Sequence, residues 1–153
     1  MKSIRTRILG TGSYLPDDVW TNNDLSRLME TSDEWIVQRT GIKQRHWAKE
    51  GQSTTDLAYE ASVRAITNAG IDKKEIDLII LATLSPDHEF PGVGCFLQAK
   101  LGLPEIAVLD IRQQCSGFIY GLSIADQFIK TGMYKKILLV GAELHSRGLD
   151  RTT

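Results

Sequence analysis

Cys115 stands where its neighbours predict the turn between a strand and a helix. The apolar run 106–109 is typical of a strand buried on both faces. After Cys115, apolar residues recur at three- and four-residue steps, which predicts a buried helix that Gly132 closes. A helix start favours a thiolate, through unpaired N–H groups and the positive end of the helix dipole. Cys115 is therefore either a nucleophile or, like most free cysteines, a small buried apolar residue.

Three apolar runs without alternation, at 78–82, 106–109 and 137–140, are separated by helical patterns. This order predicts an α/β fold with a mostly parallel sheet, right-handed crossovers and helices on both faces. In open sheets of this kind, ligands bind at the carboxyl ends of the strands. Because Cys115 follows the middle run, its position favours the nucleophile over the buried residue.

Trp35 and Arg39 form a second candidate site. Ser32 is a good helix cap, and Asp33 and Glu34 give the first turn the charge that a helix N-terminus prefers. In that helix, Trp35 and Arg39 are four residues apart and share a face, where an aromatic plane and a planar cation can hold a base and a phosphate. The alternative is a core tryptophan beside a surface arginine.

The remaining elements follow from local signals. A second helix begins at the Ser53-x-x-Asp56 capping pattern and ends at Gly70, and its alanine-rich face predicts close packing against a sheet or another helix. Gly10-x-Gly12 resembles a dinucleotide turn, but Pro16 stands where a helix should be under way, so a loop is favoured. The other predicted elements are an opening strand at 4–12, a helix at 22–30 capped by Thr21, an edge strand at 41–47 and a helix at 92–101.

Composition limits the function classes. The 153 residues carry 18 Lys and Arg against 19 Asp and Glu, a net charge of −1 that offers no general attraction to nucleic acid or an anionic membrane. No segment approaches the length of a membrane span, and no secretion signal opens the chain. We therefore expect a soluble cytoplasmic protein whose partner is a small molecule or another protein.

The cysteines and histidines predict no metal site. Cys95 and Cys115 are the two cysteines, and their spacing fits neither a disulfide framework nor a metal centre. Cys95 is interpreted as a buried structural residue in the helix at 92–101. His46, His88 and His145 are scattered along the chain and are interpreted as solvated or hydrogen-bonded side chains.

Four motifs in order carry a resemblance to the β-ketoacyl-[acyl-carrier-protein] synthase III family, a branch of the thiolase superfamily. Thr-Ser-Asp-Glu-Trp-Ile at 31–36, followed by Arg-Thr-Gly-Ile at 39–42, is the most specific of them. The others are Gly-Thr-Gly-Ser-Tyr-Leu-Pro at 10–16, Phe90-Pro91 and Cys-Ser-Gly-Phe at 115–118. The resemblance covers essentially the whole chain. It implies a thiolase-like fold of two related halves in a homodimer, with residues 1–153 as the N-terminal half and the C-terminal half absent.

The resemblance also implies a transferase of fatty-acid biosynthesis and assigns roles within it. Cys115 takes an acyl group from acyl-CoA, and malonyl-acyl carrier protein then condenses with that thioester, losing carbon dioxide to give a 3-oxoacyl product. Trp35 stacks on the adenine of CoA, Arg39 contacts its base or phosphate, and Thr31 lies beside them. Phe90 closes the acyl pocket of the neighbouring subunit. No cofactor is implied beyond the acyl-CoA substrate.

Two departures from the family pattern leave alternatives open. The family's catalytic histidine and asparagine would lie beyond Thr153, and no residue here takes their roles. Gln113 and Gln114 stand where the family often has small residues, so the starter acyl group is not assigned. The alternatives are a related enzyme of a specialised pathway and a non-catalytic thiolase-like partner subunit. In a third alternative Cys115 is a redox-sensing thiol, although no neighbouring cysteine could resolve it.

Overall fold

Residues 4–113 and 115–149 are described by a computed structural model. Their contacts group them into two units: the described residues up to Tyr14 with Ser53–Glu143, and Leu15–Gln52 with the described residues from Leu144 onward. In chain order the strands are β1 (Asp18–Thr21), β2 (Gln44–Trp47), β3 (Leu78–Ala82), β4 (Ala107–Ile111) and β5 (Ile137–Gly141). The helices are α1 (Asn22–Leu25), α2 (Asp33–Thr40), α3 (Thr54–Ala69), α4 (Val93–Leu101) and α5 (Gly117–Lys130). Lys73–Glu75 and His145–Arg147 are single 3-10 turns.

The first unit is built on a parallel sheet with β3 in the middle. The strand order is β4-β3-β5, with Leu78 opposite both Ala107 and Ile137. Ile79 and Leu81 pack into a core with α3 and α4, whereas Leu78 and Ile80 pack with α5 on the opposite face. The prediction of a parallel sheet with helices on both faces is therefore confirmed.

Helix α3 begins as its capping pattern predicts. The Ser53 N–H donates to Asp56 at 2.8 Å, and the Asp56 N–H donates to the Ser53 hydroxyl at 3.0 Å. Burial raises the pKa of Asp56, but hydrogen bonds from Lys100 and Ser53 outweigh that effect and hold the pKa below its usual range. Gly70 ends the helix in the left-handed conformation.

The segment that precedes Tyr14 lies against α3, so the predicted opening strand is wrong: the described residues from Ile4 to Gly12 form no strand. A Cβ on Gly10 would lie 2.5 Å from the Ala69 nitrogen, and Gly12 approaches the backbone of Ala65 just as closely. The Thr11 N–H donates to the Asn68 side chain at 3.0 Å. The alanine face of α3 thus packs closely, as predicted, but its partner here is the glycine backbone of a segment that is neither strand nor helix.

Helix α4 turns one narrow apolar face toward the sheet. Val93, Leu97 and Leu101, at four-residue steps, are almost fully buried. Cys95 is two positions away on the helix and is exposed, so the prediction that it is buried is wrong. The cause is geometric, since a step of two residues points to the opposite side of a helix from the packed face.

Helix α5 contacts the sheet through its smallest residues. Gly117, Gly121 and Ala125 are its buried positions, and a Cβ on Gly121 would lie 2.6 Å from a methyl group of Leu139. Phe118 and Ile119 are exposed, so the predicted burial of the whole helix is wrong. The small side chains let α5 approach the sheet and leave the large ones facing outward.

No helix in the described ranges is long and apolar enough to cross a membrane.

The second unit pairs β1 with β2 as an antiparallel ribbon, from Asp18 opposite Trp47 to Thr21 opposite Gln44. Strand β2 was predicted, but β1 was not. Thr21 caps α1 through a capping box with Asp24, as predicted, but α1 ends at Leu25 rather than near residue 30. Ser32 caps α2 as predicted.

The close approach of Gly10 to α3 gives a stability test. A methyl group there meets the backbone of Ala69, which cannot rotate away. We expect Gly10→Ala to lower the free energy of unfolding by about 1–3 kcal/mol, the usual range for overpacking. The control is Gly148→Ala, whose Cβ would meet nothing closer than 3.9 Å and whose φ is −94°. Equal urea midpoints for the two variants would contradict the packing.

Candidate functional site

Cys115 lies after the carboxyl end of β4, and Ser116 separates it from the first residue of α5. Strand β4 ends at Ile111, α5 begins at Gly117, and the Cys115 side chain is exposed. The predicted strand-to-helix position is confirmed, and the alternative of a small buried residue is wrong. Ser116 makes no side-chain cap to the N–H groups of the first turn. This turn therefore joins an accessible thiol to the amino end of a helix of 14 residues.

The start of α5 is held against the sheet by two glycine contacts. A Cβ on Gly117 would lie 3.1 Å from the Cβ of Ala82, at the end of β3. A Cβ on Gly141, at the end of β5, would lie 3.2 Å from the ring of Phe118. A larger side chain at either glycine would move the helix start outward. These contacts therefore fix the position of Cys115 relative to the sheet.

Asp110, near the end of β4, binds the amino end of α4. The Gly94 N–H donates to its carboxylate at 3.0 Å, and a Cβ on Gly92 would collide with that carboxylate. Asp110 is exposed as a residue, but its carboxylate sits against the first turn of α4. Burial of the carboxylate raises the pKa of Asp110, and the hydrogen bonds from Gly94 and Val93 only partly offset the rise.

Asp87, in the loop after β3, performs the same task for α3. Its carboxylate accepts the Thr54 N–H at 2.7 Å, the Thr55 N–H at 2.8 Å and the Thr55 hydroxyl at 2.5 Å. The Thr54 hydroxyl donates to the Ser85 carbonyl at 2.5 Å. The negative carboxylate of Asp87 therefore anchors the loop to the amino end of α3, where the helix dipole is positive.

Phe90 lies in this anchored loop, three residues after Asp87. Its side chain is 90% exposed. Glu143, just after β5, accepts the Leu84 N–H at 2.8 Å and the Ser85 hydroxyl at 2.7 Å. The loop thus has polar anchors near its start, and it presents a large aromatic side chain to the outside.

Asp87, Asp110 and Glu143 were not predicted as site residues from the sequence. Each follows or ends an apolar run, which is the signal that could have drawn attention to it. Their partners lie 33, 16 and 59 positions away along the chain. A local pattern therefore gives the position of each carboxylate but not its partner.

In the second unit, Trp35 and Arg39 meet on the exposed face of α2. The Arg39 guanidinium carbon lies 4.2 Å from the centroid of the Trp35 ring, and Trp35 is 51% exposed. The predicted shared face is confirmed, and the alternative of a core tryptophan is wrong. The backbone N–H of Trp35 donates to the Ser32 hydroxyl at 3.1 Å, which fixes the first turn of the helix. An aromatic plane and a planar cation are thus accessible together.

The other predicted site residues are placed as follows. Thr31 is half-buried and precedes the helix cap Ser32. Gln113 is half-buried and makes a long 3.5 Å contact with the Ser116 hydroxyl, and Gln114 lies outside the described residues. Cys115 and Phe90 belong to the first unit, and Thr31, Trp35 and Arg39 belong to the second.

His46 and His88 each contact a residue other than a histidine. His46 contacts the Pro16 carbonyl at 2.6 Å, and the His88 ring lies 4.9 Å from the ring of Phe96. No group of three or more His, Cys, Asp or Glu side chains within 4–113 and 115–149 could hold a metal ion.

Sequence comparison finds relatives that are named β-ketoacyl-[acyl-carrier-protein] synthase III. Residues 109–153 match the family described as 3-oxoacyl-[acyl-carrier-protein (ACP)] synthase III. A β-ketoacyl-[acyl-carrier-protein] synthase III of Ehrlichia canis (strain Jake) is 56% identical over 146 residues, which cover 95% of this chain and 46% of the relative. The chain spans about half the length of the curated relatives it matches.

Structure comparison agrees with the sequence. The crystal structure of 3-oxoacyl-[acyl-carrier-protein] synthase III from Aquifex aeolicus VF5 matches with a TM-score of 0.92 and 48% identity, over 97% of this chain and 48% of that chain. The priming β-ketosynthase of the R1128 polyketide biosynthetic pathway also gives a TM-score of 0.92, at 30% identity, over all of this chain and 46% of that one. The thiolase-like fold predicted from the motifs is confirmed.

The raised pKa of Asp110 predicts how stability changes with pH. Because burial raises this pKa above its ordinary value of 3.8, the ionised carboxylate is disfavoured in the folded state. The resulting penalty is absent below the ordinary pKa and complete above the raised one. As the pH rises above 3.8 and through the raised pKa, we therefore expect the wild-type unfolding free energy to fall relative to that of Asp110→Asn. Urea unfolding of both proteins measures the difference, and a difference constant with pH would contradict the assignment.

Proposed function

Because the chain belongs to the 3-oxoacyl-[acyl-carrier-protein] synthase III family, we propose that it is part of a condensing acyltransferase that initiates fatty-acid synthesis. The substrates are acyl-CoA and malonyl-acyl carrier protein, and the product is 3-oxoacyl-acyl carrier protein. The observation that carries the proposal is the exposed Cys115 at the amino end of α5, beside the carboxyl ends of a parallel sheet.

Cys115 forms the covalent intermediate in this proposal. Its sulfur attacks the carbonyl carbon of acyl-CoA, the bond to the CoA sulfur breaks, and CoA leaves as the free thiol. The oxyanion formed in this step needs N–H donors, and the Cys115 backbone N–H is the proposed one. Loss of one such donor typically costs about 2.7–4 kcal/mol in the barrier. Two easier acyl transfers thus replace one difficult condensation.

In the second step, malonyl-acyl carrier protein loses carbon dioxide, and the electron pair of the broken bond becomes a carbanion. The carbanion attacks the Cys115 thioester, and the thiolate leaves. The histidine and asparagine that stabilise this carbanion are proposed to lie beyond Thr153. The two steps balance with the CoA thiol, carbon dioxide and the 3-oxoacyl thioester as products, and the released Cys115 thiolate takes one proton from solvent. No redox cofactor or metal is therefore proposed.

Trp35 and Arg39 are proposed to bind the nucleotide portion of CoA, with Thr31 beside them. Adenine stacks on an indole, and a guanidinium offers both a plane for stacking and paired donors for phosphate. The 4.2 Å distance between the Arg39 guanidinium and the Trp35 ring supports this role, because both groups are accessible on one helix face.

We propose a cytoplasmic homodimer in which Phe90 closes the acyl pocket of the neighbouring subunit. Its 90% exposure supports this role. Strand β4 pairs on one side only within the described chain, so its outer edge is open to a partner. The exposed apolar side chains of α5, such as Phe118 and Ile119, are proposed to pack against the other half of the enzyme.

Similarity favours fatty-acid initiation over a specialised pathway. The Ehrlichia synthase III is 56% identical to this chain, whereas the polyketide priming enzyme is 30% identical. The exposed thiol of Cys115 at a strand-to-helix turn supports an enzyme over a non-catalytic subunit.

Acylation of Cys115 tests the proposed function directly. After the complete protein is mixed with acetyl-CoA, intact-mass measurement should show one acetyl adduct, because the thiol is exposed and lies at a helix start. Cys115→Ala should abolish the adduct. The control is Cys95→Ala, which removes the other exposed thiol and should leave the adduct unchanged. An adduct that persists in Cys115→Ala would refute the role.

The CoA assignment predicts a loss of affinity. Stacking of a base on an aromatic ring is worth about 1–3 kcal/mol, so Trp35→Ala with Arg39→Ala should weaken CoA binding roughly 5- to 150-fold. Isothermal titration with CoA measures the dissociation constant. Lys43→Ala, which removes an exposed cation of the same unit, should leave it unchanged. Unaltered affinity in the double variant would count against the assignment.

A further inference from the structure

Asn22 is a buried polar residue that hydrogen-bonds to the chain at both ends of helix α2. Its side chain is 1% exposed. Its amide nitrogen donates to the Asp33 carboxylate at 2.7 Å and to the Ile42 carbonyl at 2.8 Å. Asp33 is the first residue of α2, and Ile42 follows Gly41, which ends it. One NH₂ group therefore ties together the chain entering and the chain leaving this helix.

The amide oxygen of Asn22 is fixed by β2. The Arg45 guanidinium donates to it at 2.6 Å, and a second guanidinium nitrogen donates to the Trp20 carbonyl at 3.1 Å. Asn22 thus uses both of its donor hydrogens and its acceptor. The amide nitrogen faces α2 because the oxygen is turned toward Arg45.

Helix α2 has little apolar anchoring of its own. Ile36 is the one buried residue among its eight positions. The helix is short, and short helices depend on tertiary contacts for their position. Its orientation therefore relies on the polar contacts of Asn22 at the two ends.

Only an amide of this size meets the three contacts. Aspartate has the same shape, but its ionised form has no N–H donor, so it would place two carboxylates together at Asp33. Leucine would fill the space but leave the Arg45 guanidinium and the Ile42 carbonyl without this partner. Alanine would leave both the space and the polar groups unfilled.

We propose that Asn22 is the positioning residue of the nucleotide-binding helix, setting affinity for the nucleotide portion of CoA through the orientation of Trp35 and Arg39. The inference rests on the proposed function of those two residues. Asn22 acts through α2 and does not touch the ligand. Loss of its contacts releases both ends of the helix and moves the indole and guanidinium together.

The test compares two acyl donors that differ only in the nucleotide. Acetyl-CoA carries the adenine and phosphates, and acetyl-pantetheine lacks them. In the complete protein, Asn22→Ala should raise KM for acetyl-CoA about tenfold, against little change in KM for acetyl-pantetheine and in kcat for either donor. The matched control is Asn23→Ala, at the exposed neighbouring asparagine, which should alter none of these values.

A second pair of variants tests the contact between Asn22 and Asp33 from the Asp33 side, and it replaces no buried residue. Asp33 is exposed, so its replacement creates no cavity. Asp33→Asn keeps an oxygen that accepts from Asn22, and Asp33→Ala removes it. Asp33→Ala should raise KM for acetyl-CoA by several-fold, and Asp33→Asn should raise it less. An equal rise in both variants would assign the effect to the lost charge at the helix start and would overturn the positioning role of Asn22.

A double-mutant cycle separates this inference from the function on which it rests. In the Trp35→Ala, Arg39→Ala background, Asn22→Ala should add nothing to KM for acetyl-CoA, because the groups that it positions are gone. An additive rise, or an equal rise for acetyl-pantetheine, would overturn the inference. If Trp35→Ala with Arg39→Ala alone leaves the ratio of the two KM values unchanged, the proposed CoA site fails instead.

Discussion

The complete burial of strand β3 is the constraint on which the first unit depends. All five of its side chains are 5% exposed or less, so the strand must be covered on both faces. Helices α3 and α4 cover one face and α5 covers the other. Each helix therefore has to return across the sheet, and the loops after β3, β4 and β5 all leave at the same edge. Phe90 and Cys115 are carried by two of those loops.

Side-chain hydrogen bonds, rather than apolar contacts, fix the local geometry near the candidate residues. Asp87 and Asp110 each accept N–H groups at a helix start, where the helix dipole favours a carboxylate. In the second unit the direction is reversed, because the neutral amide of Asn22 donates to Asp33 and to the Ile42 carbonyl at the two ends of a helix. Such bonds are directional, so they determine orientation, which apolar packing constrains less.

The sequence predicts those parts of the fold whose signals are local. The Ser53 and Ser32 caps and the β3 run lie within a few residues of the elements they define, and all three are confirmed. Asn22 could not be predicted, because its partners lie 11, 20 and 23 positions away. Periodicity also misjudged the burial of α5. The positions of α5 that meet the sheet are Gly117, Gly121 and Ala125, so the large apolar side chains lie on its other faces.

The two steps of the proposed reaction need two different sets of polar groups. Acyl transfer needs an accessible thiol and N–H groups aimed at the developing oxyanion, and both requirements can be met at one strand-to-helix turn. Decarboxylation needs donors that polarise a second carbonyl, which must be held opposite the thioester. One turn cannot supply both sets, because the N–H groups at a helix start converge on a single point. The proposed condensation therefore calls for a second polar cluster that faces Cys115.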